Sequence, residues 1–278
     1  MKQYLDLMSE VLNTGIKKND RTGVGTISKF GMKMEFDLST GEFPLLTTKK
    51  MFIRGIIEEL LWMIKGEGDV EELQAKNVHI WDEWKPKEGT DEFVPYPTMW
   101  RHYPKFEHID EGTNLYLRDE NGIDQLGEAI RLIREDPGSR RIIVDSWNAD
   151  FSKDMVLTPC HCMYQFYVRD EFLDMQLIVR SNDIFLGMPF NIAQYSLLLM
   201  MVAQVTSKKP GILHYVTGDT HLYSNHLEQA AEQLSREPKA LPRMIINPEV
   251  KNIEDFKYSD FTLLDYNPWP KISAPVAV

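Results

Sequence analysis

The sequence predicts an α+β fold, a single domain with a mixed sheet and a long central buried helix. Helix-like and strand-like periodicities are interspersed along the 278 residues without the regular alternation of a doubly wound sheet. Phe190 to Thr206 is a long, mostly apolar helical stretch, expected at the centre of the fold. Pro and Gly are scattered instead of gathered at one boundary, so residues 1–278 read as one domain with no linker.

Each element has its own signal. In residues 2–14, Tyr4, Leu5, Met8, Val11 and Leu12 share one helical face. Asn19 to Thr26 is a polar, Gly-bearing turn, and 26–37 alternates as a strand with Ile27, Phe30, Met32, Met34 and Phe36 mostly on one parity. Thr47 to Lys50 leads into a helix from Met51 to Lys65. Its face is Ile53, Ile56, Ile57, Leu60, Leu61 and Ile64, and Gly66 is placed to stop it. A loop-rich middle carries Trp81-Asp82-Glu83-Trp84 and Pro95-Tyr96-Pro97, and residues 105–121 read as an exposed polar excursion. Gly122 to Arg134 reads as a helix ended by Asp136-Pro137-Gly138. Arg141–Trp147, Met163–Val168, Leu173–Val179 and Gly211–Thr217 read as strands, Ser224–Arg236 as a helix, and the tail as strand-like pieces.

Composition narrows the function. Apolar residues make up 43% and charged residues 26%, an ordinary soluble balance. A formal charge of −11 argues against a general nucleic-acid binder, which needs clustered positive charge, but leaves room for a small anion held by a few arginines. The two cysteines, Cys160 and Cys162, stand too close together for a loop-closing disulfide framework. Low cysteine use, an N-terminus without an apolar signal core, and an apolar stretch (Tyr195 to Val205) too short for a bilayer lead to the expectation of a cytoplasmic protein.

The chemistry concentrates in a few motifs. Cys160-His161 lies just before an apolar, aromatic strand, and Arg180-Ser181-Asn182-Asp183 follows some twenty residues later. A guanidinium near a thiol favours the reactive thiolate. A buried structural cysteine is the plain alternative. Cys160-His161-Cys162 lacks zinc spacing, and a Cys–His–Asp hydrolase built from Cys160 and Asp183 is unspecific. Arg140-Arg141 precedes another apolar strand, where neighbours point to opposite faces, so at most one reaches a given pocket of its own subunit. Asn191, at the start of the long helix, is either a cap or an amide whose paired donor and acceptor match the N3–H and O4 edge of uracil. His221 and Tyr223 share a face if their segment is extended, and Ser224 or Asn225 offers a helix cap.

In their order these motifs resemble thymidylate synthase, the folate-dependent family that methylates dUMP. The resemblance runs from Met1 to Val278. It is carried by Asn19-Asp20-Arg21-Thr22-Gly23, Phe43-Pro44-Leu45 with Thr47-Thr48-Lys49, Glu59-Leu60-Leu61-Trp62, Ile80-Trp81-Asp82-Glu83-Trp84, Ser139-Arg140-Arg141-Ile142, Pro159-Cys160-His161, Arg180-Ser181-Asn182-Asp183, Leu186-Gly187 with Pro189-Phe190-Asn191, Gly218-Asp219-Thr220-His221-Leu222-Tyr223, and the Ala274-Pro275-Val276-Ala277-Val278 end.

The resemblance implies roles for these positions. Cys160 would add to C6 of dUMP, and Arg21, Arg180 and Ser181 would hold its phosphate. Arg140 and Arg141 would reach the phosphate of a partner subunit, which implies a homodimer with shared sites. Asn191, with Asp183, would serve the pyrimidine, and His221 and Tyr223 the ribose hydroxyl. Glu59, Tyr96 and His161 would manage proton transfers. Lys49, Ile80, Trp81, Trp84, Asp183, Gly187, Phe190, Ala277 and Val278 would contact or cover 5,10-methylenetetrahydrofolate, which serves as carbon donor and reductant, with no metal. The −11 charge then requires local clustering of arginine and lysine.

The chain departs from the family pattern in three places. Pro97 follows Tyr96 where a glycine is usual, so that loop should be shaped differently. Ile178-Val179 precede Arg180 where a Tyr-Gln pair is common. The 105–121 excursion is longer than in short bacterial forms. The first two touch the groups that handle protons and water, which brings in a uracil-specific hydroxymethylase as the nearest rival. A cytosine-specific enzyme is disfavoured by Asn191, while Trp81 and the intact tail favour reduction by excluding water. A nucleotide- or RNA-binding regulator with a dead site is the rival from another class.

Overall fold

The computed structural model describes residues 1–20, 22–108 and 116–276, with the backbone alone at 106–108 and 116–121. Arg21, Ala277, Val278 and the middle of the 105–121 excursion therefore lie outside the described residues.

The chain opens with helix α1 (Lys2–Thr14), the short strand β1 (Ile16–Lys18) and the long strand β2 (Thr26–Asp37). Helix α2 (Ile53–Lys65) follows, ended by Gly66 in the left-handed conformation expected of a C-terminal glycine. It starts two residues later than its periodicity suggested. The middle is less loop-like than its composition implies, with α3 (Val70–Ala75) and α4 (Pro95–Arg101). In α4, Pro95 and Pro97 both sit in the first turn, where their missing N–H groups would have had no partner within the helix. The departure at Pro97 is thus accommodated by a helix instead of a reshaped loop.

The excursion begins and ends as a hairpin, β3 (Tyr103–His108) against β4 (Tyr116–Ile123). Gly122, expected to begin a helix, belongs to β4 instead. Its φ is +65°, and a Cβ there would stand 2.6 Å from the His102 carbonyl carbon, so glycine is required by the close approach of the backbone at the start of β3. Helix α5 (Gln125–Glu135) begins after it, capped by the Asp124 carboxylate accepting from Gly127 N.

The strands β5 (Ile143–Asp145), β6 (His161–Arg169) and β7 (Phe172–Asp183) come next, then helix α6 (Gly187–Val205) and strand β8 (Lys209–Tyr223). Helix α7 (Leu227–Leu234) and a small antiparallel pair, β9 (Arg243–Ile246) with β10 (Phe261–Leu264), complete the chain. The main sheet has the order β1-β2-β8-β7-β6-β5, antiparallel except for β7 beside β8. That parallel pair needs a crossover, and α6 supplies it. The expected mixed sheet and central helix are both present.

One face of the sheet is the core. Leu173, Met175, Leu177 and Val179 of β7 and Leu213 and Tyr215 of β8 are fully buried, as are Leu197, Leu198 and Leu199 of α6. The helix is long and apolar enough to cross a membrane, yet most of it is buried inside the protein. The opposite face carries Met163, Gln165, Gln176, Ile178, His214 and Val216, all at least partly exposed. Phe30, expected to turn inward with Met34 and Phe36, is 82% exposed.

Candidate active site

Cys160 stands immediately before β6, and its carbonyl accepts from Arg180 N at 2.9 Å, which joins the thiol-bearing residue to β7. The Arg180 side chain then folds over the loop ahead of the thiol. Its Nε donates to Pro159 O (2.8 Å), and its Nη2 donates to Thr158 O (2.9 Å) and Thr158 Oγ1 (2.8 Å). Its guanidinium carbon lies 5.4 Å from the centre of the Trp147 ring, within cation–π range. The guanidinium pulls the thiol pKa down, as expected from the sequence. Burial outweighs it and leaves the Cys160 thiol raised above its ordinary value, with Cys162 and Asp183 adding to the rise.

Tyr96 comes from α4. Its Oη accepts from Cys160 N at 2.8 Å and from His161 N at 3.3 Å. Two N–H donors hold the oxygen, so the phenol's own hydrogen remains available as a donor. Burial pushes the phenol well above its usual range, which keeps that hydrogen in place. The Tyr96 ring stacks on the His161 imidazole at 4.9 Å, and Tyr195 meets the same imidazole edge-on at 5.2 Å. Burial pulls His161 down to about 4, so the ring is neutral near pH 7. Its Nδ1 is buried without a hydrogen-bond partner among the described residues, so no carboxylate orients it as a hydrolase dyad requires.

Glu59 projects from α2. Its Oε1 accepts from Trp81 Nε1 (2.6 Å) and its Oε2 from Gln194 Nε2 (2.7 Å). Burial raises its pKa to about 7 against the pull of those two donors. The Trp81 ring lies edge-on to Tyr96 at 6.0 Å, which links the carboxyl to the thiol side. Asn191 lies inside α6, whose N-cap is Leu186, so it is not a cap. Its amide acts electrostatically on both His161 and Tyr215, and the Tyr215 hydroxyl accepts from Asn182 Nδ2 at 2.6 Å.

A second group gathers where β7 meets α6. Lys49 is buried, donates to Phe185 O at 2.5 Å, and holds its ammonium 3.5 Å from the Phe185 ring centre. Burial pulls it down to about 7, while Asp183 opposes the shift. Asp183 accepts from Phe185 N at 2.9 Å. A Cβ on Gly187 would meet only the Asp183 Cβ, at an ordinary 3.8 Å, so no crowding within the chain demands glycine there. Phe190 and Ile80 are partly buried, and Trp84 lies edge-on to Trp81 at 6.1 Å.

The remaining expected residues fall into two places. β8 runs extended through Tyr223, so His221 and Tyr223 do share a face, with ring centres 5.1 Å apart. His221 Nδ1 lies 3.2 Å from Asp219 Oδ1, and Ser181 pairs with Asp219 in the sheet register. Neither Ser224 nor Asn225 caps α7, since His226 occupies that position without a side-chain bond. Arg140 and Arg141 are exposed and precede β5, which starts two residues later than expected, so strand alternation does not separate them. Gln165 Nε2 donates to Arg140 O at 3.2 Å, which places the pair at the edge of the uncovered sheet face.

Sequence reasoning missed Gln194, Trp147, Thr158 and Tyr215. Gln194 had a usable signal, as a polar side chain in an otherwise apolar helix. The others are recognisable only once the strands are paired. Among the described residues no group of His, Cys, Asp or Glu is arranged to hold a metal ion. A family model described as thymidylate synthase matches residues 2–278.

Proposed function

The chain belongs to the thymidylate synthase family, methyltransferases of nucleotide biosynthesis that use methylenetetrahydrofolate as co-substrate, and from that premise we propose that it converts dUMP to dTMP. The observation that carries the reading is the Glu59 carboxyl, raised to about 7, held by Trp81 and Gln194, and linked through the Trp81 ring to the Tyr96 phenol that binds the Cys160 backbone. A base near neutrality in the same cluster as a nucleophile suits a reaction that adds a thiol to a ring and later removes a ring proton.

In this reading the Cys160 sulfur bonds to C6 of the pyrimidine, and electron density builds at C5 and O4. The thiol proton must leave first, since burial holds the thiol protonated. Glu59 in its ionised form accepts protons on that side of the ring. His161, being neutral, acts as a hydrogen-bond partner and not as an acid. Asn191 reads the N3–O4 edge through an amide that already acts on His161 and Tyr215. Arg180 and Ser181, with Arg21, hold the phosphate, and His221 and Tyr223 the ribose.

The Lys49–Asp183 group and the Trp81 ring of the Glu59 group together support a site for a flat, anionic folate. Trp81 and Phe190 offer apolar faces, Asp183 an acceptor for ring N–H groups, Lys49 a cation, and Gly187 leaves the approach clear. The folate supplies the one-carbon unit and the hydride that completes the methyl group. The uncovered sheet face and the exposed Arg140 and Arg141 at its edge support a homodimer in which those arginines serve the partner's phosphate. Low cysteine use supports a cytoplasmic location.

Incubation with dUMP and 5,10-methylenetetrahydrofolate tests the proposal. We expect dTMP with one dihydrofolate per product. Formation of 5-hydroxymethyl-dUMP with tetrahydrofolate would replace this reading by a hydroxymethylase. Absence of turnover, with Cys160→Ala binding dUMP as well as the parent, would reduce the chain to a nucleotide-binding module. Sedimentation gives the subunit number, and a monomer at working concentration would remove the shared site.

A further inference from the structure

We propose that His226 is a positioning residue that latches the C-terminal segment against the Asp183 side of the site, so that tail placement and folate capture share one support. This rests on the folate reading above.

His226 is fully buried at the start of α7, with ring contacts to Phe185 (5.5 Å) and Tyr223 (5.7 Å). Its Nε2 lies 2.7 Å from the carbonyl oxygen of Pro275. A carbonyl carries no hydrogen, so Nε2 must hold the ring proton and donate it. The opposite nitrogen, Nδ1, is buried without a hydrogen-bond partner among the described residues and faces Asp183 Oδ1 at 4.0 Å. That carboxylate oxygen also accepts from Phe185 N, and Phe185 O receives the Lys49 ammonium. One imidazole therefore donates to the tail on one edge and packs against the Phe185 ring, beside Asp183 and Lys49, on the other.

The tail has little else to hold it. Ile272 is buried and Ala274 packs against the core, but Pro275 and Val276 are exposed. Among the described residues beyond Ile272, the bond from His226 to Pro275 is the one hydrogen bond to the rest of the chain. A short exposed segment held by one buried donor opens and closes at low cost. Its closed position is set by a ring whose other edge Asp183 faces.

The experiment compares His226→Gln and His226→Asn in the full chain. A Gln amide nitrogen reaches the position of Nε2, and an Asn amide stops short of it. Hydrogen exchange of peptides covering 270–278 should be about tenfold faster in His226→Asn and close to the parent in His226→Gln. The folate KM should follow the same order, with kcat less affected and dUMP binding unchanged. Parental exchange in His226→Asn, or equal loss in both variants, overturns the latch. Nitrogen-15 spectra of the parent decide the matter even if both variants misfold: an Nε2–H ring is expected, and an Nδ1–H ring overturns the proposal. If the parent makes no dTMP, the proposed function fails, while the exchange and ring spectra still judge the latch.

Discussion

The two walls of the site are built from different materials. On the strand wall, Cys160 and Arg180 are joined by a backbone bond between β6 and β7, and the guanidinium clamps residues only 21 and 22 positions away. On the helix wall, Glu59 is held by side chains 22 and 135 positions distant. Burial acts on both acids in the same direction, raising the thiol and the carboxyl alike. The consequences are opposite. The carboxyl is carried toward neutrality, where a base is useful, and the thiol is carried away from its nucleophilic form. A guanidinium nearby is thus not enough to activate a cysteine, because the wall that places the guanidinium also dries the thiol.

Removing the strand wall's reacting atom should have the largest effect. Cys160→Ala should lower kcat by roughly 10³-fold or more while leaving dUMP affinity near that of the parent, because the phosphate and base contacts remain. Steady-state kinetics and calorimetry check the pair of results. Residual turnover within tenfold of the parent would mean that the reaction does not pass through the thiol.

Glu59→Gln ranks next, with kcat about 10²- to 10³-fold lower. The parent's rate should rise with pH through about 7, as Glu59 ionises, and the variant should lack that limb. Stability moves the other way. The folded-state pKa lies above the unfolded value near 4.5, so the stabilising contribution is complete below pH 4.5 and disappears as pH rises through 7. Between pH 5 and 8 the parent should lose up to roughly 3 kcal/mol relative to the variant, measured by urea titration at each pH. His161 has the opposite sign. Its folded-state value of about 4 lies below the ordinary imidazole value, so its contribution is present above pH 6.5 and is lost as pH falls through 4. Acid and alkaline weakening would then come from opposite walls.

This contrast also explains what could be read without coordinates. The strand wall was legible because Cys160 and Arg180 lie close in sequence, and because β6 and β7 are joined by a tight hairpin whose strands show clear apolar runs. The helix wall was only half legible. Glu59 stood beside an apolar face, but its partner Gln194 belongs to a helix far along the chain. Gly122 and Ile123 read as the start of a helix but end β4, where the positive φ of Gly122 meets the close approach of the His102 backbone, a contact no local pattern encodes. The prolines at 95 and 97 suggested a loop because local chemistry cannot tell a turn from the first turn of a helix. The sign of the Cys160 shift depended on burial, which no local motif encodes.

Gln194→Leu probes the helix wall more gently. It removes an N–H that favours the ionised carboxyl, so the rising limb of the rate profile should move to higher pH by about one unit. At pH 7 the rate should fall roughly fivefold and largely recover at pH 8.5. A loss that alkaline pH does not repair would show that Gln194 places Glu59 rather than tuning it.

The smallest effect is expected at Pro97. Its ring is buried in the first turn of α4, and it restricts the unfolded chain without removing any helix bond. Pro97→Ala keeps the Cβ and restores an N–H that has no partner in the helix, so stability should fall by only about 0.5–1 kcal/mol. Turnover should stay within about twofold, because Tyr96 is fixed by the N–H groups of Cys160 and His161 and not by the residue after it. Thermal melts and kcat measured on the same sample separate the two quantities. A tenfold drop in kcat with an unchanged melt would mean that the stiffness of the α4 entry, and not the two backbone donors, sets the phenol. The walls would then be coupled through Tyr96, and the division drawn between them would have to be redrawn.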